Sequence, residues 1–269
     1  AMSTSFRDRL HRGDLLVGPM VCLSAPEVIE VLCGAGFDWL FLEAEHAPVS
    51  PQSLQHMMIA AGDTPCMVRL PNHDEIWVKR VLDMGAAGVI VPQVNTAEQA
   101  RNIVKFAKYA PLGQRGVGVS RAHGYGYSVG DYIARANDES VVVVQAEHID
   151  AVRNIEAITD VPGVDAVLIG PYDLSASMGK MGQVNDPEVV EAINVVARTV
   201  KRKDLKLGYF GVSADAVKPY VAEGFTLIAA GVDTMLLGQA ASQLCKTLKS
   251  DVAPKAVAEK SAKLAAVGS

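Results

Sequence analysis

Two carboxylates lie just beyond consecutive apolar segments of the chain. Glu147 follows the apolar run 141–144, and Asp173 follows the run 166–169. Short, unbroken, β-branched runs are typical of strands buried on both faces of a parallel sheet. The carboxyl ends of such strands are where α/β proteins place their chemistry. Two carboxylates at that edge, with no cationic neighbour in sequence, predict a divalent metal site with Glu147 and Asp173 as ligands.

The donor set of this predicted site favours a hard cation. Carboxylate oxygens and waters suit Mg²⁺ or Mn²⁺, with Co²⁺ as a further candidate. Zinc is disfavoured because strand alternation turns His148 away from Glu147. The alternative is structural: Glu147 would pair with Arg69, and Asp173 would cap a short helix. We prefer the metal because the two acids recur one structural unit apart.

Other polar residues occupy the same predicted strand ends: Glu43, Glu45, His46, Arg69, Gln93 and Gln145. His46 is the natural acid/base among these residues, because histidine is the usual proton carrier in catalysis, and Glu43 or Glu45 could orient it. Arg69 is a permanent cation that could bind a carboxylate or a developing oxyanion. Helix capping by His46 and a salt bridge by Arg69 are the structural alternatives. The opposite strand ends carry Asp38, Asp165 and Lys206, which we interpret as solvated loop ends.

The segment 170–175, and the residue types that do not occur at the predicted strand ends, limit the reaction mechanisms that this site could support. Gly170, Pro171, Tyr172 and Ser175 surround Asp173 at a predicted helix start, where backbone N–H groups could bind a substrate carboxylate. No lysine occupies a carboxyl strand end, so a Schiff base has no evident amine. No nucleophile elbow accompanies a Ser-His-Asp order. Metal-assisted chemistry on an enolate, with a His acid/base and an Arg, fits what remains.

An alternation of strands and helices must position these residues. Strands are predicted at 16–23, 38–43, 65–69, 88–92, 141–147, 164–169, 206–210 and 226–230. Helices are predicted at 26–35, 51–62, 74–84, 96–108, 149–158, 187–203, 213–224 and 233–249, after a polar N-terminal helix. Start signals at Ser50, Asn95-Thr96 and Ser213 support these helices. Eight such units predict an α/β fold of the (β/α)₈ TIM-barrel type, in preference to a doubly wound open sheet.

Two segments depart from the plain repeat. The connection 109–140 is long and glycine-rich, which is typical of a lid or an interface element. The Ala/Lys-rich tail 251–269 is predicted to lie outside a single catalytic barrel domain, 1–250.

Composition excludes some classes of protein. The chain has 269 residues, is 49% hydrophobic and carries a net charge of −5, without a basic block that would bind nucleic acid. No apolar run reaches the roughly 20 residues of a membrane helix. The four cysteines lack paired or metal-type spacing. We expect a cytoplasmic enzyme that acts on small molecules and has neither a nucleic-acid nor a membrane partner.

The motifs resemble those of the HpcH/HpaI aldolase family, metal-dependent class II aldolases that cleave 4-hydroxy-2-oxo acids. The resemblance runs from about Phe6 to Leu248. It is carried by the segments 36–40, 45–48, 91–94, 114–118, 163–165, 169–175 and 231–237.

The resemblance implies a role for each candidate residue. Glu147 and Asp173 would bind the metal, His46 would be the acid/base, and Arg69 would steady the enolate oxygen. Gln145 would be a polar neighbour of the metal, and backbone around Gly170 and Tyr172 would hold the pyruvate carboxylate. It also implies no organic cofactor and a homo-hexamer, a trimer of dimers that exchange the last barrel helix, 233–249.

Some positions depart from the family pattern. The His46 partner is usually Asp, whereas position 43 is Glu43. Met20 replaces a frequent Trp, and Tyr209 and Phe210 replace aliphatic residues; we expect all three to touch the aldehyde half of the pocket.

The expected reaction is aldol cleavage or synthesis, with pyruvate or hydroxypyruvate as the enolate donor and an aldehyde as the acceptor. An oxaloacetate decarboxylase or a phosphoenolpyruvate-type lyase on the same scaffold is the nearest alternative. A non-catalytic ligand-binding barrel is a third.

Overall fold

The apolar runs of the chain form eight parallel strands that close into a barrel. The computed structural model describes the backbone of residues 4–265 and the side chains of residues 4–250. The strands are β1 (Leu16–Val21), β2 (Leu40–Glu43), β3 (Cys66–Arg69), β4 (Gly88–Val91), β5 (Val141–Ala146), β6 (Ala166–Ile169), β7 (Lys206–Gly211) and β8 (Leu227–Val232). Each strand pairs with the next, and β8 pairs with β1. The predicted TIM barrel is confirmed, strand by strand.

Helices follow the strands around the outside of the barrel. They are α1 (Phe6–Arg12), α2 (Pro26–Gly34), α3 (Pro51–Ala60), α4 (Glu75–Asp83), α5 (Ala97–Ala107), α6 (Val129–Glu139), α7 (Ile149–Arg153), α8 (Ile155–Thr159), α9 (Pro171–Ser177), α10 (Pro187–Arg202), α11 (Ala214–Ala222) and α12 (Asp233–Ala265). The side chains of Ser50, Thr96 and Ser213 cap α3, α5 and α11 as the sequence predicts. The helix predicted at 149–158 is divided into α7 and α8.

The core has two layers because every strand is buried on both faces. Inside the barrel, Trp39, Phe41, Met67 and Leu168 belong to one apolar cluster. A larger cluster fills the space between the strands and the outer helices. This second layer includes Tyr209, which stacks on Tyr220. Tyr209 therefore lies outside the barrel, which corrects its expected place in the aldehyde pocket.

Helix α1 closes the amino-terminal end of the barrel. Phe6 and Leu10 join the interior cluster. Arg7 Nε and His11 Nε2 each lie 2.8 Å from Asp165 Oδ1. Asp165 Oδ2 accepts the Val142 N–H at 2.8 Å. Asp165 is fully buried, so its interpretation as a solvated loop end is wrong.

Asp38 is a second anchor for α1. Its Oδ1 lies 2.6 Å from Arg9 Nη2, and its Oδ2 accepts the Val17 N–H at 3.0 Å. The roles of Asp38 and Asp165 cannot be predicted from their sequence neighbours, because their partners on α1 are far away in sequence. Together they fasten α1 to the end of the barrel that is opposite the candidate site.

The long connection 109–140 lies at the same amino-terminal end. It follows α5 and precedes β5, and it contains a short 3₁₀ helix, Arg121–Gly126, and α6. Arg121 Nη1 donates to Met84 O at 2.8 Å, and Arg115 Nη2 lies 2.6 Å from Asp83. These contacts hold the connection against the end of α4. The predicted lid is therefore wrong for this subunit's own site, which opens at the other end.

Helix α12 contacts the barrel near its start. The buried Asp233 carboxylate accepts N–H groups from Cys22 and Leu23, at 3.1 and 2.8 Å. Residues 234–250 are exposed, Leu237 and Leu244 among them. The backbone of the predicted tail continues this helix as far as Ala265. Among the described residues, no helix combines the length and the hydropathy that a membrane span requires.

Candidate active site

The predicted polar residues converge at the carboxyl ends of β2 to β6. Glu43 and Arg69 are register partners at the ends of β2 and β3, so their side chains leave the sheet on the same face. Gln145 is near the end of β5, and Glu147 follows it by two residues. Because side chains alternate along a strand, Gln145 and Glu147 also share a face.

Glu43 organises the end of β2. Its Oε1 accepts the backbone N–H groups of Glu45 and His46, at 2.6 and 2.8 Å. Its Oε2 lies 2.6 Å from Arg69 Nε and 2.5 Å from Arg69 Nη2. Both oxygens are therefore occupied away from the His46 ring. The structure corrects the predicted dyad: the longer Glu43 side chain fixes the backbone of His46 and binds Arg69.

His46 faces a different carboxylate. Its Nε2 lies 3.6 Å from Glu45 Oε2, and the same oxygen lies 3.2 Å from Arg69 Nε. Burial raises the pKa of Glu45, whereas the charges of Arg69 and His46 oppose that rise. The His46 side chain is 71% exposed in this single chain, so it can meet a substrate or a water at the pocket rim.

Arg69 is held with its guanidinium at the pocket. The group is largely buried and lies over the Phe41 ring, 5.5 Å from the ring centroid. Glu43 and Glu45 use Nε and Nη2, which leaves Nη1 available to an anionic oxygen. A guanidinium fixed by two carboxylates is preorganised for that task.

Glu147 is a buried carboxylate with two hydrogen-bond donors. Its Oε1 accepts the Gln93 N–H at 2.7 Å, and its Oε2 accepts the Gln145 side-chain amide. Burial raises the pKa of Glu147 to about 7; the Gln93 hydrogen bond opposes this, and the nearby charges of Glu45 and Asp173 add to it. The predicted alternative, a direct pair with Arg69, does not occur.

Asp173 stands across the site, in the first turn of α9. Among the ion pairs of residues 4–250, none includes Glu147 or Asp173, and no group of three or more His, Cys, Asp and Glu side chains surrounds a metal position. Two mutually repelling carboxylates without a cation, one of them buried, fit a divalent ion that completes its shell with water and substrate. The buried Gln145 Oε1 also has no hydrogen-bond partner.

Gly170 gives Glu147 and Gln145 the space that they occupy. A Cβ atom at Gly170 would lie 2.8 Å from Glu147 Oε2 and 3.0 Å from Gln145 Nε2. No other residue type fits here without displacing the candidate metal ligand.

Ser175 is placed differently from its prediction. It is fully buried within α9, where its Oγ donates to Tyr172 O at 2.6 Å and accepts the Gly182 N–H at 3.1 Å. The hydroxyl supports the segment that follows α9 and does not line the pocket, so its expected contact with substrate is corrected.

A pocket of about 150 Å³ joins the site residues. It is lined by Met20, Phe41, His46, Arg69, Gln145, Leu168, Gly170, Pro171, Tyr172, Asp173 and Phe210. Its floor is apolar and its rim is polar. Met20 and Phe210 lie here as the sequence suggests. The arrangement can bind an anionic oxygen at Arg69 and a cation at the carboxylates, with a proton carrier at the rim.

The sequence analysis missed the part that Gln93 plays. It singled out the Gln93 side chain, which is exposed, whereas the backbone N–H makes the contact with Glu147. Gln93 has φ of 52°, a left-handed conformation that is uncommon outside glycine. The turn after Pro92 was the available signal, but it does not predict the sign of φ.

Comparison with known proteins identifies the family of this chain. The family model for HpcH/HpaI aldolase/citrate lyase matches residues 18–240. The chain is 36% identical over 253 residues to the 2-keto-3-deoxy-L-rhamnonate aldolase of Escherichia coli K12, covering 93% of this chain and 94% of the relative.

Solved structures show the same relationship. An HpcH/HpaI aldolase/citrate lyase family protein from Burkholderia cenocepacia superimposes with a TM-score of 0.88 and 31% identity, covering 92% of this chain and all of that one. The citrate lyase beta subunit from M. tuberculosis, at 13% identity and a TM-score of 0.56, shares the fold; the match covers 84% of this chain and 95% of that one. The expected aldolase function, that of a carbon–carbon lyase, is thereby confirmed. The chain belongs to the HpcH/HpaI aldolase/citrate lyase family.

Proposed function

We propose that this protein is a divalent-metal-dependent aldolase that cleaves and forms 4-hydroxy-2-oxo acids through a pyruvate enolate. The observation that carries this proposal is that Asp173 and Arg69 line one small pocket, together with Gln145, whose side chain contacts the buried Glu147 carboxylate. Burial and the nearby charges of Glu45 and Asp173 raise the pKa of Glu147, and neither Glu147 nor Asp173 forms an ion pair among residues 4–250. An enolate donor with adjacent carboxylate and oxo oxygens matches this combination of charges.

Glu147 and Asp173 would hold Mg²⁺ or Mn²⁺, with Co²⁺ as a further candidate. Such an ion supplies Lewis-acid polarisation of the 2-oxo group. The M. tuberculosis relative was solved with oxaloacetate and magnesium, which supports testing Mg²⁺ first. No organic cofactor is needed, since the bond that breaks is next to a carbonyl.

The chain's own groups would bind and orient the substrate. Arg69 Nη1 would donate to the oxygen on which negative charge develops during cleavage. The N–H groups at the start of α9, around Gly170 and Tyr172, would bind the substrate carboxylate. Gln145, whose Oε1 is unpartnered, would accept a hydrogen bond from a water or a hydroxyl in the pocket.

His46 would move the proton. In the cleavage direction it takes the C4 hydroxyl proton, directly or through a water, as the C3–C4 bond breaks into an aldehyde and the pyruvate enolate. Protonation of the enolate at C3 then gives pyruvate. The His46 imidazolium would be stabilised by Glu45, which faces its ring. In the synthetic direction the same ring protonates the aldehyde oxygen. Pyruvate and hydroxypyruvate are both donor candidates.

Met20 and Phe210 would contact the aldehyde half of the substrate. The name of the E. coli relative adds 2-keto-3-deoxy sugar acids to the first substrates to test.

We also propose that the active enzyme is a homo-oligomer, a hexamer built as a trimer of dimers that exchange α12. Two observations support this arrangement: the leucines of α12 are exposed, and among the described side chains its hydrogen bonds to the segment after β1 come from Asp233, at its start. The last helix of a barrel ordinarily packs on its own strands. Light scattering coupled to size-exclusion chromatography tests the state directly.

The reaction is tested by pyruvate release from a racemic 4-hydroxy-2-oxo acid with Mg²⁺ or Mn²⁺, and then with EDTA. Release that the chelator stops and the metal restores supports the aldolase. Oxaloacetate turnover without aldol cleavage would favour the decarboxylase alternative instead.

A further inference from the structure

One peptide group connects the proposed metal ligand to a histidine on a different loop. The unit consists of the Pro92 carbonyl and the Gln93 N–H, just beyond β4. Gln93 N donates to Glu147 Oε1 at 2.7 Å, and His73 Nε2 lies 2.5 Å from Pro92 O. A carbonyl oxygen only accepts hydrogen bonds, so Nε2 of His73 carries the proton.

The two contacts act on opposite ends of a rigid group. The Pro92–Gln93 peptide is trans, so its C=O and N–H point in opposite directions in one plane. His73 therefore fixes the carbonyl end while Glu147 receives the amide end. A donor on the carbonyl also polarises the peptide and strengthens its N–H as a donor.

The peptide needs such a restraint. Gln93 has φ of 52°, and a non-glycine residue keeps this strained conformation only where its surroundings hold it there. The turn has no helix or strand to hold it, because β4 ends at Val91 and α5 begins at Ala97. Without a partner on Pro92 O, the N–H would be free to rotate away from Glu147.

His73 is itself well placed to act as the restraint. It lies in the loop between β3 and α4, and the next residue, Asp74, caps α4 by accepting the Ile76 N–H at 2.8 Å. Half-buried and anchored beside a helix start, its ring has little freedom to follow a moving peptide.

We propose that His73 is a positioning residue for the metal site: through the Pro92–Gln93 peptide it orients the Glu147 carboxylate toward the metal. This inference rests on the proposed function, because Glu147 must be a metal ligand. His73 does not touch substrate or metal, and its effect is on how tightly and in which orientation Glu147 is held.

The test is titration of metal-free protein with Mn²⁺, followed by electron paramagnetic resonance. Loss of a hydrogen-bonding partner of a metal ligand costs about 10–100-fold in metal affinity, and we expect about 10-fold for His73→Ala. His73→Gln keeps a side-chain N–H donor and should stay within about 3-fold of wild type. His56→Ala, at an exposed position on α3, is the matched control and should not change the affinity.

Unchanged Mn²⁺ affinity in folded His73→Ala would overturn the proposal, as would an equal loss in His73→Gln and His73→Ala. Circular dichroism establishes that each variant is folded. If His73→Ala does not fold, the decision comes from His73→Gln and from the amide-exchange measurement described below. In His73→Gln, retained Mn²⁺ affinity together with faster exchange of the Gln93 amide supports the proposal, and an unchanged exchange rate contradicts it.

Hydrogen exchange of the Gln93 amide in metal-free protein separates this inference from the proposed function. We expect the amide to exchange about 10-fold faster in His73→Ala, and several-fold faster in His73→Gln, whose flexible amide is a weaker restraint. If wild-type protein bound no Mn²⁺, the metal site would fail, while this exchange difference would still show that His73 holds the peptide.

Discussion

A single oxygen of Glu43 binds Arg69 twice: Oε2 lies 2.6 Å from Nε and 2.5 Å from Nη2. The two residues are register partners on adjacent strands, and both are buried. The other oxygen of Glu43 holds the backbone of His46. One carboxylate thus sets the positions of both the proposed oxyanion donor and the proposed proton carrier.

Arg69→Lys tests this arrangement while keeping the positive charge. A lysine ammonium cannot satisfy Glu43 and also present a second donor in a fixed plane. We expect kcat to fall by about 10²–10³-fold, as for the loss of an oxyanion donor. Steady-state kinetics measures the effect, with the exposed Arg80→Lys as the control. A kcat within about 3-fold of wild type would remove Arg69 from the proposed chemistry.

Glu147→Gln tests the metal assignment. The amide keeps an oxygen for the Gln93 N–H but removes the negative charge. We expect Mn²⁺ binding to weaken by at least about 100-fold, because loss of a ligand costs more than loss of a residue behind it. Asp173→Asn should behave similarly, and the exposed Glu30→Gln should not. Wild-type Mn²⁺ affinity in Glu147→Gln would contradict the site.

Gly170→Ala tests the space beside Glu147. The added methyl would lie 2.8 Å from Glu147 Oε2 and 2.9 Å from its Cβ, so the carboxylate must move. We expect a loss of about 1–3 kcal/mol in the free energy of unfolding and weaker Mn²⁺ binding. Urea denaturation and metal titration measure the two effects. Gly34→Ala, where a Cβ meets nothing within 4 Å, is the control.

His46→Ala tests the proton carrier. Loss of a general base lowers the rate by about 10²–10⁴-fold, and we expect kcat to fall in this range while Mn²⁺ affinity is retained. The exposed His56→Ala serves as its control. An unchanged rate would assign His46 a structural role.

The lowered pKa of Asp165 predicts that the free energy of unfolding depends on pH in the acid range. Burial opposes its charged form, but hydrogen bonding by His11 and the charge of Arg7 outweigh this and lower its pKa below 3.8. A lowered pKa contributes stability at pH values above the unfolded-state value, and that stability is lost as the pH falls through the folded-state value. The free energy of unfolding should therefore fall as the pH drops below about 4.

Asp165→Asn should remove that pH dependence and destabilise the protein by about 3 kcal/mol at pH 7, since it leaves Arg7 without its buried partner. Asp160→Asn breaks an exposed pair with Lys203 and should cost about 0–1 kcal/mol. Urea denaturation between pH 3 and pH 7, in both variants, measures the difference. Equal stability of the two variants would show that Asp165 does not anchor α1.

The sequence predicts the barrel well because its strands are buried on both faces. Runs such as 141–144 are short and β-branched, which favours a buried strand over a helix, and all eight predicted strands occur. It also predicts which residues meet, since Glu43, Arg69, Gln145 and Glu147 follow from strand ends alone. The metal and substrate roles of these residues stay predictions until they are measured.

The sequence does not specify the direction in which an individual side chain or backbone N–H points. Either Glu43 or Glu45 was expected to orient His46; Glu45 faces its ring, whereas the Glu43 side chain, one methylene longer than Asp, reaches Arg69 and the backbone instead. The Gln93 contact depends on the sign of one φ angle, and Asp165 depends on partners on α1 that are distant in sequence. Such long-range or single-angle features leave no local pattern.

The closure of the barrel by α1 has a consequence for the evolution of this enzyme. The ion pairs of Asp38 and Asp165 secure the end of the barrel opposite the pocket, so they are independent of the residues that contact substrate. Most substitutions that alter specificity also cost stability. With its stability anchored elsewhere, the pocket wall at Met20 and Phe210 can diversify toward new aldehydes before the fold is endangered.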